Sequence, residues 1–169
     1  NKLFTPIDKE ISDNCKKNIL PDGCDFLLFC NNVNIPRNQL PLLIESFAWF
    51  CKEIGEKNAK KVALMLHTNP TNKSGTNLLK IVDDLHSDLN IVFSSSSVDD
   101  STLNQMYNTA DVTINIASNE GFGLSTIESL SAGTPIIVSN TGGLSEQVDD
   151  NQSWGLKVEP KIRNLIGSI

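Results

Sequence analysis

The sequence predicts an α/β fold, a Rossmann-like doubly wound parallel sheet of about six strands with helices on both faces. Three observations predict it. Short apolar runs alternate with segments whose apolar residues recur at helical spacing, which is the pattern of βαβ units. The connections between them are only a few residues long. The chain has 169 residues, enough for one hydrophobic core and cramped for two full domains.

The first strand is Phe26-Leu27-Leu28-Phe29-Cys30, a continuous apolar run after Pro21-Asp22-Gly23, expected to be buried on both faces. Leu40, Leu43, Ile44, Phe47, Cys51 and Ile54 fall at helical spacing and predict an amphipathic helix over 38–54. Val62 to Leu66 is the second strand, ended by Asn69-Pro70. Leu78, Val82, Leu85 and Leu89 mark a helix, and Ile91-Val92-Phe93 the third strand. Asp99-Asp100-Ser101 is a capping signal for a helix carrying Leu103, Met106, Tyr107 and Ala110. The alternation continues with a strand over 112–116, a helix over 124–132 and a strand over 135–139. A short helix over 144–148 and a strand over 154–158 complete it. Residues 1–20 and the last eight read as connecting chain.

The N-terminus lacks Met and any signal-peptide pattern, so the expectation is one domain cut from a longer protein. No apolar run approaches the roughly 18 residues of a membrane span. Net charge is −6, and from Ile81 to Leu156 there is no Lys or Arg against eleven Asp and Glu. Phosphate neutralisation by a basic stripe cannot be built there, which argues against nucleic acid or an acidic membrane as a partner. Cys15, Cys24, Cys30 and Cys51 contain no Cys-x-x-Cys pair, and the only histidines are His67 and His86. Free thiols in a reducing cytoplasm fit better than a zinc site or a disulfide scaffold, and no metal is expected.

In an open α/β sheet, ligands bind beyond the carboxyl ends of the strands. Two of those loops are unusual. After Ile116 comes Ala117-Ser118-Asn119-Glu120-Gly121-Phe122-Gly123, followed at once by a helix. Glycines there let the backbone approach a ligand, and the helix start offers N–H groups to an anion without any basic side chain. A strand-to-helix turn that needs glycine only for steric reasons explains a bare Gly-x-Gly equally well. Glu128 lies about 40° around the helix from Leu124, beside the apolar stripe, where a carboxylate needs donors. The two hydroxyls of a ribose would supply them; a solvent-facing glutamate is the alternative. After Ser139 comes Asn140-Thr141-Gly142-Gly143-Leu144-Ser145-Glu146, a second diglycine opening onto a helix. Together the two loops point to a phosphate-bearing ligand. A dinucleotide fingerprint is absent, since Cys30-Asn31-Asn32-Val33-Asn34-Ile35 has no glycine, and no Gly-Lys-Ser/Thr of a P-loop occurs.

Taken together, Tyr107-Asn108-Thr109-Ala110-Asp111-Val112, Glu120-Gly121-Phe122-Gly123-Leu124 with Glu128 eight positions on, Ala132-Gly133-Thr134-Pro135, Thr141-Gly142-Gly143-Leu144-Ser145-Glu146 and Trp154-Gly155-Leu156-Lys157-Val158-Glu159-Pro160 form a recognisable set. They resemble the C-terminal domain of GT-B retaining glycosyltransferases of the Glu-x7-Glu group, the glycosyl transferases group 1. The resemblance spans nearly the whole chain, and Leu3-Phe4-Thr5-Pro6 is similar to that family's lead-in to the domain. It implies one half of a GT-B fold that binds a nucleotide-diphosphate sugar, with the acceptor site on an N-terminal domain outside this chain. Glu128 then corresponds to the glutamate on the ribose hydroxyls, and Glu120 to the catalytic-site glutamate beside the donor sugar. Gly121, Phe122, Gly123 and Leu124 correspond to the amides on sugar and diphosphate, and Gly142, Gly143 and Leu144 to a further wall of the pocket.

One departure stands out. The resemblance implies an Arg after the first strand and a Lys six residues later, on the diphosphate; Asn32 and Asn38 hold those positions here. Arg37 is the nearest cation. The expectation is that Arg37 substitutes for the lost charge while Asn32 and Asn38 donate neutral hydrogen bonds. The base is expected by Ser94-Ser95-Ser96-Ser97. Competing expectations are a nucleotide-sugar epimerase of the same architecture and a binding module that has lost its chemistry.

Overall fold

A computed structural model describes residues 3–149 and 151–160. The six strands are β1 (Phe26–Asn31), β2 (Val62–His67), β3 (Ile91–Ser94), β4 (Val112–Asn115), β5 (Ile136–Ser139) and β6 (Gly155–Val158), in the order β3-β2-β1-β4-β5-β6. Every neighbouring pair is parallel, so each connection must cross the sheet, as the α/β expectation requires. The helices are α1 (Lys9–Ile19), α2 (Leu40–Ile54), α3 (Glu56–Ala59), α4 (Leu78–Leu85), α5 (Asp100–Thr109) and α6 (Leu124–Ser131). Two 3-10 turns, Pro36–Asn38 and Gly142–Glu146, follow β1 and β5.

Alternation along β1 divides the core. Leu28 and Cys30 join Leu64, Leu66, Val112 and Ile114 against Leu40, Leu43, Ile44 and Phe47 of α2 and Leu78 of α4. Leu27 and Phe29 join Ala63 and Met65 on the opposite face, against Met106 and Tyr107 of α5. Ile136 and Val138 pack on Ala117, Leu144 and Val148 in a third cluster beside α6. Strands buried on both sides read as continuous apolar runs, which is why β1 and β2 were legible.

Differences from expectation are local. Helix α4 stops at Leu85, and Leu89 packs on the core from the following loop instead. The short helix expected over 144–148 is the 3-10 turn Gly142–Glu146. Asp99 caps α5 as expected, accepting from Thr102 N at 2.7 Å. Two cysteines, Cys30 and Cys51, are buried and all four are free thiols; burial pushes the Cys30 thiol up to about 12. Among the described residues no helix is long and apolar enough to cross a membrane. The last eight residues, expected as connecting chain, lie outside the described ones.

The largest difference is at the N-terminus, where residues 9–19 of the expected linker form α1. None of its residues is buried, so apolar periodicity gave little sign of it. Ile19 packs partly on the core, and polar contacts tie the helix and the segment before it to the domain. Asn104 Oδ1 accepts from Thr5 N at 3.0 Å and Asn108 Oδ1 from Ile7 N at 2.9 Å. Lys16 Nζ donates to both Asp111 carboxylate oxygens at 2.7 Å. Asp111 Oδ2 also accepts from Leu27 N at 2.6 Å, which joins α1, β1 and the start of β4. Asp111→Ala strands the Leu27 amide and the lysine together, and a loss of about 1–3 kcal/mol is expected in urea denaturation.

Candidate functional site

The sheet order reverses between β1 and β4, so their carboxyl ends flank the crevice where open α/β sheets take ligands. Three loops meet there: 31–39 after β1, 116–123 after β4 and 140–143 after β5. Arg37 is the one cationic residue in all three.

Loop 31–39 is held from within. Asn34 is buried, and its amide donates to Pro70 O at 3.2 Å and Thr76 O at 2.7 Å, fixing it to the loop after β2. Asn38 is buried as well and donates to Val33 O at 2.8 Å. In this structure the side-chain N–H of Asn38, expected to donate to a ligand, serves the turn, while its Oδ1 has no partner. Asn32 is half-buried, with its amide 3.8 Å from Cys30 Sγ, a weak contact that leaves the donor available.

Arg37, expected near the diphosphate, reaches across to the loop after β4. Its Nη1 donates to Glu120 Oε2 and to Asn119 O, each at 2.9 Å, while its carbonyl accepts from Ser118 N at 2.8 Å. The only cation of the three loops therefore lies on a carboxylate, with half of its side chain exposed and Glu120 17 % exposed. Its charge offsets Glu120 before it offsets any ligand.

The glycine loops interlock. Gly143 N donates to Glu120 O at 2.9 Å. A Cβ on Gly142 would collide with Glu120 O, and one on Gly143 with Gly121 O. Gly123 N-caps α6 at φ 82°, a left-handed conformation that favours glycine, and a Cβ there would meet Leu144 Cδ2 at 2.6 Å. Since Gly123 has no side chain to cap with, the first-turn N–H groups of α6 stay available to an outside acceptor. Gln147, which sequence reasoning passed over, clamps the loop from behind. Its Nε2 donates to Phe122 O and to Gly123 O, its Oε1 meets Thr126 Oγ1, and its carbonyl accepts from Trp154 Nε1 at 2.8 Å. Leu144, expected with Gly142 and Gly143 along the pocket wall, buries its side chain fully in the β5 cluster, so what the loop can present there is its backbone. Gly121, Phe122 and Leu124 are exposed. A groove of about 680 Å³ runs past Phe122, Ile127, Gly143, Glu146 and Trp154; neither Glu120 nor Glu128 lines it.

Glu128 sits one turn into α6, half-buried. Tyr107 Oη donates to its Oε2 at 2.8 Å and accepts from Asn31 Nδ2 at 2.9 Å. Burial pushes the Glu128 carboxyl above the usual range, the tyrosine hydrogen bond pulls it back, and the Asp100 charge adds to the rise. Burial first of all pushes the Tyr107 phenol up, so it remains protonated and a donor. At the ends of β2 and β3, His67 Nδ1 lies 3.0 Å from Ser94 Oγ, and burial lowers the imidazole pKa.

Residues 90–168 match the family model of glycosyl transferases group 1. An uncharacterized glycosyltransferase of Methanocaldococcus jannaschii is 39 % identical over 64 residues, covering 38 % of this chain and 16 % of that protein. A D-inositol 3-phosphate glycosyltransferase of Thermomonospora curvata is 43 % identical over 51 residues, 30 % of this chain and 12 % of that one. The chain thus aligns with only a small part of the curated relatives. Among solved structures, the C-terminal domain of the group 1 glycosyl transferase LpcC from Francisella tularensis superposes with TM-score 0.71 at 19 % identity, over 96 % of this chain and 80 % of that one. Sucrose-phosphate synthase from Thermosynechococcus elongatus gives 0.69 at 25 % identity, over 96 % and 38 %. Anabaena HepE, in complex with UDP and glucose, gives 0.73 at 15 % identity, over 94 % and 40 %. The doubly wound α/β fold of this chain is one that these three structures share.

The interlock makes Gly143→Ala a sharp test of the site's construction. The added methyl presses on the Gly121 carbonyl, and a loss of about 1–3 kcal/mol in thermal unfolding is expected, with the far-ultraviolet dichroism of the folded state retained.

Proposed function

We propose that this chain is the donor-binding domain of a retaining group 1 glycosyltransferase. It would hold a nucleotide-diphosphate sugar while an N-terminal domain outside this chain presents the acceptor. The observation that carries the proposal is the uncapped N-terminus of α6, held open by interlocked glycines, with the tyrosine-buttressed Glu128 one turn behind it. The family match over 90–168 covers both features.

In this reading the diphosphate lies against the first-turn amides of α6 and Gly121–Leu124, where the helix dipole stabilises negative charge. Asn32 adds a neutral donor. Glu128 accepts from the ribose hydroxyls. Glu120 stands by the donor sugar, oriented by Arg37, and Gly142 and Gly143 shape the loop beside it. Catalysis is mainly electrostatic and positional: charge developing on the leaving diphosphate meets preorganised N–H donors. No metal has a part in it. Retention of anomeric configuration and the cytoplasmic setting belong to the same proposal. Without an acceptor domain, the chain is expected to bind nucleotide and turn over little.

Calorimetric titration with UDP, GDP and ADP tests the binding. One of the three should bind, and Glu128→Gln should weaken it about tenfold, ~1.4 kcal/mol. Failure of all three to bind would overturn the reading. The ion pair at Arg37 generates a separate expectation for the longer enzyme. Arg37→Ala should lower kcat about tenfold and leave the donor KM almost unchanged, because it disorients Glu120. A raised KM with unchanged kcat would instead assign the guanidinium to the diphosphate.

A further inference from the structure

Tyr107 is the one tyrosine of the chain and is fully buried. Its ring meets Phe4 and Phe29 edge-on, at centroid distances of 5.8 and 5.4 Å. A core position of this kind asks only for an aromatic ring, and phenylalanine would serve without a buried hydroxyl to satisfy. The hydroxyl instead joins three elements: Asn31 at the end of β1, Tyr107 on α5 and Glu128 on α6.

The direction of this chain is forced by donor chemistry. A carboxylate can only accept, so the phenol proton goes to Glu128 Oε2. The phenol oxygen must then accept from Asn31, which requires the amide nitrogen on that side. With that bond made, one oxygen of Glu128 is anchored, and capacity remains for the two donors of a vicinal diol. The helix fixes the Glu128 backbone, while Tyr107 removes the freedom of its long side chain.

We propose that Tyr107, held by Asn31, is a positioning residue that sets Glu128 to recognise the vicinal diol of the nucleotide ribose, and so sets discrimination against 2′-deoxyribose. The proposal rests on the reading of Glu128 as the ribose acceptor. Tyr107 touches no ligand in this scheme; it acts through the glutamate. A hydroxyl that merely stabilised the core would alter stability without regard to the sugar of a bound nucleotide.

The experiment is calorimetry on the chain with UDP, GDP and ADP, each paired with its 2′-deoxy counterpart. The wild type should prefer whichever ribonucleotide it binds, and Tyr107→Phe should shrink that preference about fivefold or more, with the affinity for the deoxy form nearly unchanged. Asn31→Ala, which leaves the Tyr107 ring packing in place, should move the preference in the same direction by less. It keeps the test decisive should Tyr107→Phe fold poorly. A wild-type preference retained in both variants, or in the foldable one, would overturn the role of Tyr107 while leaving Glu128 as the ribose acceptor. A wild type that binds ribo and deoxy forms equally would overturn the Glu128 reading, and the positioning role with it.

Discussion

The candidate site depends on one constraint, the backbone-to-backbone contact between the loops after β4 and β5. Gly142 and Gly143 lie where any Cβ would strike the carbonyls of Glu120 and Gly121, and Gly143 N closes the contact with a hydrogen bond to Glu120 O. Two neighbouring strands thereby hold one rigid elbow between them. Gln147 supports that elbow from behind, and Leu144 fills the space beneath Gly123 that a side chain would need. The N-terminus of α6 is consequently aimed at the crevice by main-chain packing, and no long side chain has to be ordered to present its amides.

That construction suits a site poor in positive charge. The three loops contribute a single cation, and it is paired with Glu120. An anion held there would rely on oriented N–H groups, whose partial charges are fixed by the fold and carry little reorganisation cost. The pairing also changes the sense of Arg37. A half-exposed ion pair contributes modestly to stability, so its value lies in holding the Glu120 carboxylate and the Asn119 carbonyl in one arrangement.

Tyr107 links the core to the site. Its ring belongs to the cluster under β1, and its hydroxyl lies at the carboxyl end of β1 beside Glu128. Packing on Phe4 and Phe29 fixes where that hydroxyl lies, so the geometry at Glu128 inherits the rigidity of the hydrophobic core.

By itself the sequence determined the alternation of strands and helices, the buried centre of the sheet, the Asp99 cap and the two glycine elbows. Each of these is written in a local pattern: apolar runs in β1 and β2, helical spacing in α2, a short polar side chain before α5. Local patterns report burial and backbone freedom, and those are what such elements require. What the tertiary structure alone decided are the partnerships of polar groups far apart in the chain. Helix α1 buries no residue and is held by Asn108 and Asp111, while Asn104 holds the segment before it. Arg37 turns to Glu120 and Asn38 to Val33, while Asn31 and Tyr107 converge on Glu128. A hydrogen bond has a short range and a direction, so which donor meets which acceptor is settled only once the sheet has brought their strands together.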